Sequence, residues 1–187
     1  MKLKHVSAFL VCAVLLAAPF AATAAPKAQQ RKDARKMANE TLAALYRFQP
    51  KAKTAVHKAA GYAVFSNFGM NLILGGGSGE GIAVNNATRK ETFMKMLEVQ
   101  AGLGIGIKKF RVVFVFDNRK KLDEFINAGW EFGGQTSAAA QLGGQGAAYD
   151  GATSVSPGVW MYQLTDNGLA LDLAAKGTKY YKDDELN

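Results

Sequence analysis

The residues whose spacing most invites chemistry are Gly75, Gly76, Gly77, Gly79 and Gly81, with Glu80 set among them. A glycine-rich loop can turn its backbone amides onto a phosphate, but only with the glycines at set offsets and a helix starting behind them. In Gly75-Gly76-Gly77-Ser78-Gly79-Glu80-Gly81 neither the dinucleotide spacing nor the lysine-bearing phosphate-loop spacing occurs, and Ile82-Ala83-Val84 reads as strand. Nucleotide binding is set aside on that ground. A hydrolytic triad needs a base placed on a nucleophile; His57 is the one histidine beyond the N-terminal stretch, and no nucleophile-elbow sequence is present. Cys12, the single cysteine, lies inside the N-terminal apolar run, so the rest of the chain holds no thiol for a disulfide, an iron–sulfur ligand or a nucleophile. One histidine cannot make a zinc cluster. Asp123 with Glu124, and Asp183 to Glu185, are neighbouring acids of the solvated kind. Glu80, between two glycines, reads as a turn residue hydrogen-bonded to nearby amides. The expectation is a protein without catalytic residues, metal or cofactor.

Basic residues are the other grouped chemistry. Arg31, Lys32, Arg35 and Lys36 crowd together, Lys51, Lys53 and Lys58 follow, Lys108, Lys109 and Arg111 form a third group, and Arg119, Lys120 and Lys121 a fourth. The formal net charge is +8, reduced by two if Lys2 and Lys4 are removed with the leader. Such clusters favour anionic partners. Residues 1–24 carry a basic start, an apolar stretch from Val6 to Ala18 and the small-residue end Ala22-Thr23-Ala24, the pattern of a cleaved secretory signal. Val11 before Cys12 is not the small residue that lipoprotein acylation there would call for. No later apolar run is long enough to span a bilayer. An exported, periplasmic protein is expected, free or peripherally attached to a membrane, with lipid headgroups or envelope polymers ahead of nucleic acid as partners.

These groups must be held by elements that can be read from periodicity. Residues 25–30 read as a flexible leader and 31–187 as one domain. Ala34, Met37, Ala38, Thr41, Ala44, Leu45 and Phe48 recur at helical spacing up to Pro50, and the thin, alanine-rich stripe suits docking on the protein's own sheet better than a membrane surface. A short helix over 51–60 ends at Gly61. Strands are expected at 62–66, 71–75, 81–85, 92–100 and 111–117, the last central, with a polar turn at Asn85-Asn86-Ala87-Thr88. A helix over 119–128 has Asn118 as its cap and Gly129 as its stop. The low-complexity stretch 133–151 reads as close-packed or edge strands, and Asp166-Asn167-Gly168 as a hairpin turn between 159–164 and 169–173. Glycine weakens a strand interior and appears there where backbones approach closely or bend. The fold class is therefore α+β: a curved, mostly antiparallel sheet or partial barrel, rich in glycine and covered by the N-terminal helices and one further short helix.

Three blocks in order, GYAVFSNFGMNLILGGGSGEGIAV, VQAGLGIGIKKFRVVFVFDNRKKLDEFINAGWEFGG and GVWMYQLTDNGLALDLAAKGTKYYKDDELN, resemble the SYLF domain family, also described as an actin-bundling-protein-like lipid-binding domain. The chain looks most like that family's exported bacterial branch. The resemblance covers about Ala34 to the C-terminus. It implies binding rather than catalysis, to phosphoinositide-containing or other anionic phospholipid membranes and, in fungal members, to actin filaments. Gly75, Gly76, Gly77, Gly79, Gly81, Gly102, Gly104 and Gly106 match the family's structural blocks. Lys108, Lys109 and Arg111 lie where an anionic headgroup could be met, with Arg31, Lys32, Arg35 and Lys36 as further lipid-binding candidates. Two other readings stand beside it: an envelope structural or stress protein acting through protein or polymer partners, and a carrier whose curved sheet encloses an apolar ligand.

Overall fold

A computed structural model of the chain describes residues 26–67, 76–99, 110–132, 149–165, 168–170 and 178–187. The expected leader peptide, the strand at 71–75, Gly75, Gly102, Gly104, Gly106, Lys108 and Lys109 lie outside the described residues, as do 133–148 and Leu171 to Leu173.

The elements run α1 (Lys27–Phe48), α2 (Pro50–Lys58), β1 (Gly61–Ser66), β2 (Gly76–Asn85), β3 (Glu91–Val99), β4 (Arg111–Phe116), α3 (Arg119–Ala128), β5 (Trp130–Phe132), β6 (Thr153–Ser156), β7 (Val159–Thr165), β8 (Gly168–Ala170) and β9 (Thr178–Lys182). The strands form one antiparallel sheet in the order β5-β9-β3-β2-β1-β4-β7-β6, with β8 added to β7. The expected α+β sheet with helical cover is what the chain forms.

Its curl follows from distances across it. Phe114 on β4 and Tyr180 on β9 are four strand spacings apart, roughly 19 Å in a flat sheet. Their ring centroids lie 5.0 Å apart. Phe114 also meets Trp130 of β5, one strand further on, at 5.7 Å. Only a sheet rolled into a half-barrel brings those rings together, so this cluster marks the concave side. Phe65, Phe114, Phe116, Met94, Met96, Val112 and Tyr180 fill it, and Leu122 and Phe125 of α3 are inserted from one end. Residues of opposite parity, Val64, Ile82, Val84, Phe93, Val113 and Val115, form the convex face. There α1 and α2 dock through Ala34, Ala38, Leu42, Leu45, Ala52 and Val56, as the thin apolar stripe led us to expect. Both faces of β4 are buried, which explains the unbroken RVVFVF run in the sheet's middle.

The local signals were mostly sound. Asn118 accepts a hydrogen bond from the Lys121 amide at 3.0 Å, and Gly129 ends α3 with φ 70°. The Asn85 side chain accepts from Ala87 and Thr88 amides, both at 3.0 Å, closing the β2–β3 hairpin. Two expectations need correcting. α1 begins at Lys27, inside the stretch expected to be a flexible leader, because the Pro26 carbonyl accepts from Gln29 and Gln30 amides and the Gln29 side chain reaches Asp33 at 2.8 Å. Glu80 is not a turn residue: β2 starts at Gly76, and Glu80 pairs in register with Ser66 and Lys95. Burial first, then the charge of Asp33, pushes its carboxyl above the usual range.

The C-terminal segment is fastened to β3. Asn187 accepts from the Phe93 amide at 3.0 Å and donates to the Phe93 carbonyl at 2.8 Å, as a strand partner would. Asp183, with 4% of its side chain exposed, lies 3.2 Å from the Lys95 ammonium. Burial opposes the charge on Lys95, but the hydrogen bond and charge of Asp183, helped by Glu185 and Tyr181, hold its pKa above the ordinary lysine value. That stabilisation is complete below the ordinary lysine value and is lost as pH rises through the raised one. Lys95→Met leaves Asp183 buried without its cation, and the expected cost is about 1–3 kcal/mol, read as a lower denaturant midpoint at neutral pH.

Candidate functional site

The basic residues separate in space. Arg111 starts β4 at the end of the sheet where Ser66, Glu80 and Leu164 stand beside it in register. Glu91 lies at the other end of the strands, opposite Val84. Counting strand spacings and residues, these ends are roughly 20 Å apart in a flat sheet and less in a curled one. Arg31 and Arg35 belong to the Glu91 end, so Arg111 does not join them in one cluster. Lys32 and Lys36 are exposed on α1, Lys36 lying 3.9 Å from Glu40 one turn on.

At the Glu91 end four cations do converge. A cleft of about 480 Å³ is lined by Arg31, Arg35, Lys90 and Lys182, by the polar side chains of Thr92, Asn127 and Asn187, and by Phe93, Ile126 and Leu186, with Glu91 as its one acidic side chain. Each cation arrives by a different route. Arg31 and Arg35 are one turn apart on α1, so they share a helix face. Lys90 follows the left-handed Arg89 (φ 59°) at the hairpin and leads into β3. Lys182 ends β9, and pairs in register with Met94 of β3.

The two guanidinium groups are positioned by the fold. Arg31 Nε donates to the Leu186 carbonyl at 2.7 Å, and Arg35 Nε donates to Glu91 Oε2 at 2.7 Å. Both lie over the Phe93 ring, at 5.8 and 5.1 Å from its centroid. Each guanidinium has five N–H donors and spends one in these bonds, and a planar guanidinium is suited to bidentate recognition of an anion. Lys90 and Lys182 are exposed, and act as point charges on flexible stems. The chemistry on offer is recognition of an anion, with arginine supplying directed hydrogen bonds and lysine supplying field. Lys90 and Lys182 were missed in the sequence, where one follows a turn and the other sits in a closing run, with no spacing linking either to α1.

The glycines carry structure. A Cβ on Gly81 would strike the Phe65 ring, and one on Gly79 would strike the Ser66 carbonyl oxygen and lie 2.8 Å from Met96 Cγ. Both belong to the concave face of β2, since side chains two residues apart share a face. His57, exposed on α2, lies 6.4 Å ring to ring from Tyr46. Among the described residues no group of three His, Cys, Asp or Glu is placed to hold a metal, and no helix is long and apolar enough to cross a membrane.

Known proteins resemble this chain at the level of a family and of an individual relative. A family model described as "Ysc84: Las17-binding protein actin regulator" matches residues 97–187, which takes in β4 to β9 and α3. Beta cell expansion factor A of Aeromonas veronii is 37% identical over 150 residues, which is 80% of this chain and 56% of that protein. The aligned region thus spans little more than half the length of that relative.

Proposed function

The chain belongs to the SYLF family, the Ysc84 group, and from that premise we propose that it is an exported binding protein without catalytic activity, which attaches peripherally to anionic phospholipid surfaces. The observation that carries this reading is the cleft in which Arg31, Arg35, Lys90 and Lys182 gather around one acidic side chain, Glu91. Each Lys or Arg near an anionic leaflet contributes about 1 kcal/mol, so four give reversible attachment that weakens with salt. Arg111, with Lys108 and Lys109 beside it in sequence, would add a second basic contact at the opposite end of the strands.

Arg31 and Arg35 also tie α1 to the sheet, so the test uses the two lysines, which the fold can spare. In flotation with vesicles containing anionic phospholipid, Lys90→Gln/Lys182→Gln is expected to bind roughly 30-fold more weakly than the unmodified chain, from about 2 kcal/mol. Lys53→Gln/Lys58→Gln on α2, with the same loss of charge, should bind nearly as well as the unmodified chain. Equal recovery of the unmodified protein with neutral and anionic vesicles would overturn the reading.

A further inference from the structure

The half-barrel has a seam. β5 and β6 are the two ends of the sheet order, and a groove of about 350 Å³ lies between Trp130 of β5 and Ser156 of β6. Its walls are Phe116, Phe125 and Val159 of the concave cluster, together with Ala128 and Gly129 where α3 gives way to β5. Among the described strands β5 and β6 do not pair with each other, and the groove between them borders the buried aromatic core. The rim carries Lys121 and Glu124.

We propose that this seam binds the alkyl chain of a single-chain anionic amphiphile, a fatty carboxylate, with its head group at Lys121. The volume is at the low end for ligand pockets, and at about 30 Å³ for each water-sized group it holds roughly a dozen atoms. That is the size of one alkyl chain and too little for a diacyl lipid. The lining is aromatic and aliphatic, so methylene groups are the matching chemistry. Lys121 lies 3.0 Å from Glu124, and its ammonium has three donors, so it can hold Glu124 and a ligand carboxylate together. Arg119 and Lys120, in the same first turn of α3, add positive field, while Asp123 and Glu124 reduce it. The basic group 119–121, which the membrane reading leaves unused, thereby acquires a role. The site is separate from the Arg31–Lys182 cleft.

Isothermal titration of the purified chain with carboxylates of six to sixteen carbons tests this. Affinity is expected to rise about fourfold per added methylene up to about twelve carbons and then to level off as the seam fills. Filling the groove by Ala128→Leu, or independently by Ser156→Leu, should weaken dodecanoate at least tenfold while flotation with anionic vesicles stays unchanged. Lys121→Gln should weaken dodecanoate severalfold and Glu124→Gln should strengthen it, with neither moving dodecanol. Circular dichroism establishes that each variant is folded. Binding without dependence on chain length, or unweakened by both filling variants, overturns the proposal, as does a seam that takes no carboxylate and instead pairs with a second copy of the chain.

Discussion

Phe114→Ala is expected to destabilise the protein by about 3–5 kcal/mol, the cost of removing a fully buried phenylalanine from a core that cannot close over the gap. The ring is fully buried and meets Phe65, Phe125, Trp130 and Tyr180 at centroid distances of 6.1, 5.5, 5.7 and 5.0 Å. Those partners come from β1, α3, β5 and β9, so one side chain links the middle of the sheet, its far edge and the crossover helix. Aromatic pairs add about 0.5–1.5 kcal/mol beyond the area they bury, which places this position at the upper end of the range. Since total stability is about 5–15 kcal/mol, the loss is a large fraction of it. Urea unfolding followed by near-ultraviolet circular dichroism measures the loss. A change below about 1 kcal/mol would mean that the curl does not depend on this ring.

Gly81→Ala separates two explanations of the glycine ladder by the sign of its effect. If glycine merely weakens the strand, alanine stabilises it by about 0.5–1 kcal/mol through lost chain entropy. If the missing side chain makes a seat for Phe65, alanine overpacks the core and costs about 1–3 kcal/mol or more. The geometry favours the second outcome. The added methyl would meet the Phe65 ring, which is pinned by Phe125 at 6.0 Å and Tyr180 at 4.7 Å and has nowhere to swing. We expect a cost of about 3 kcal/mol, measured by thermal unfolding beside Ser78→Ala, whose exposed side chain on the other face of β2 should matter by less than about 0.5 kcal/mol.

The glycine spacing thus has a physical reading that periodicity only half supplied. Glycines at alternate positions strip one face of a strand of side chains, and on β2 that is the face toward which the sheet curls. The sequence showed that these residues belong to strands and offer no phosphate loop. It did not show that the stretch from Gly76 to Glu80 is itself strand, because a run so rich in glycine carries no apolar alternation to mark one. β6, whose Thr-Ser-Val-Ser run is polar and only four residues long, was missed for a similar reason.

What the sequence determined by itself was whatever depends on neighbours along the chain. The face that α1 buries, the doubly buried β4, the Asn118 cap, the Gly129 stop and the Asn85 turn all follow from short-range spacing and hydrogen bonding. So does the absence of a phosphate-loop pattern. Only the tertiary structure decided which charges meet. Arg31 and Arg35 join Lys90 and Lys182 because β9 pairs with β3 and because α1, packed over β1 and β2 on the convex face, extends these two side chains to Phe93 and Glu91 of β3, and neither arrangement has a local signature. The seam between β5 and β6 has the same origin. It is set by how far the sheet of nine described strands rolls, which depends on packing summed over Phe65, Phe114, Phe125 and Tyr180 rather than on any one stretch of chain.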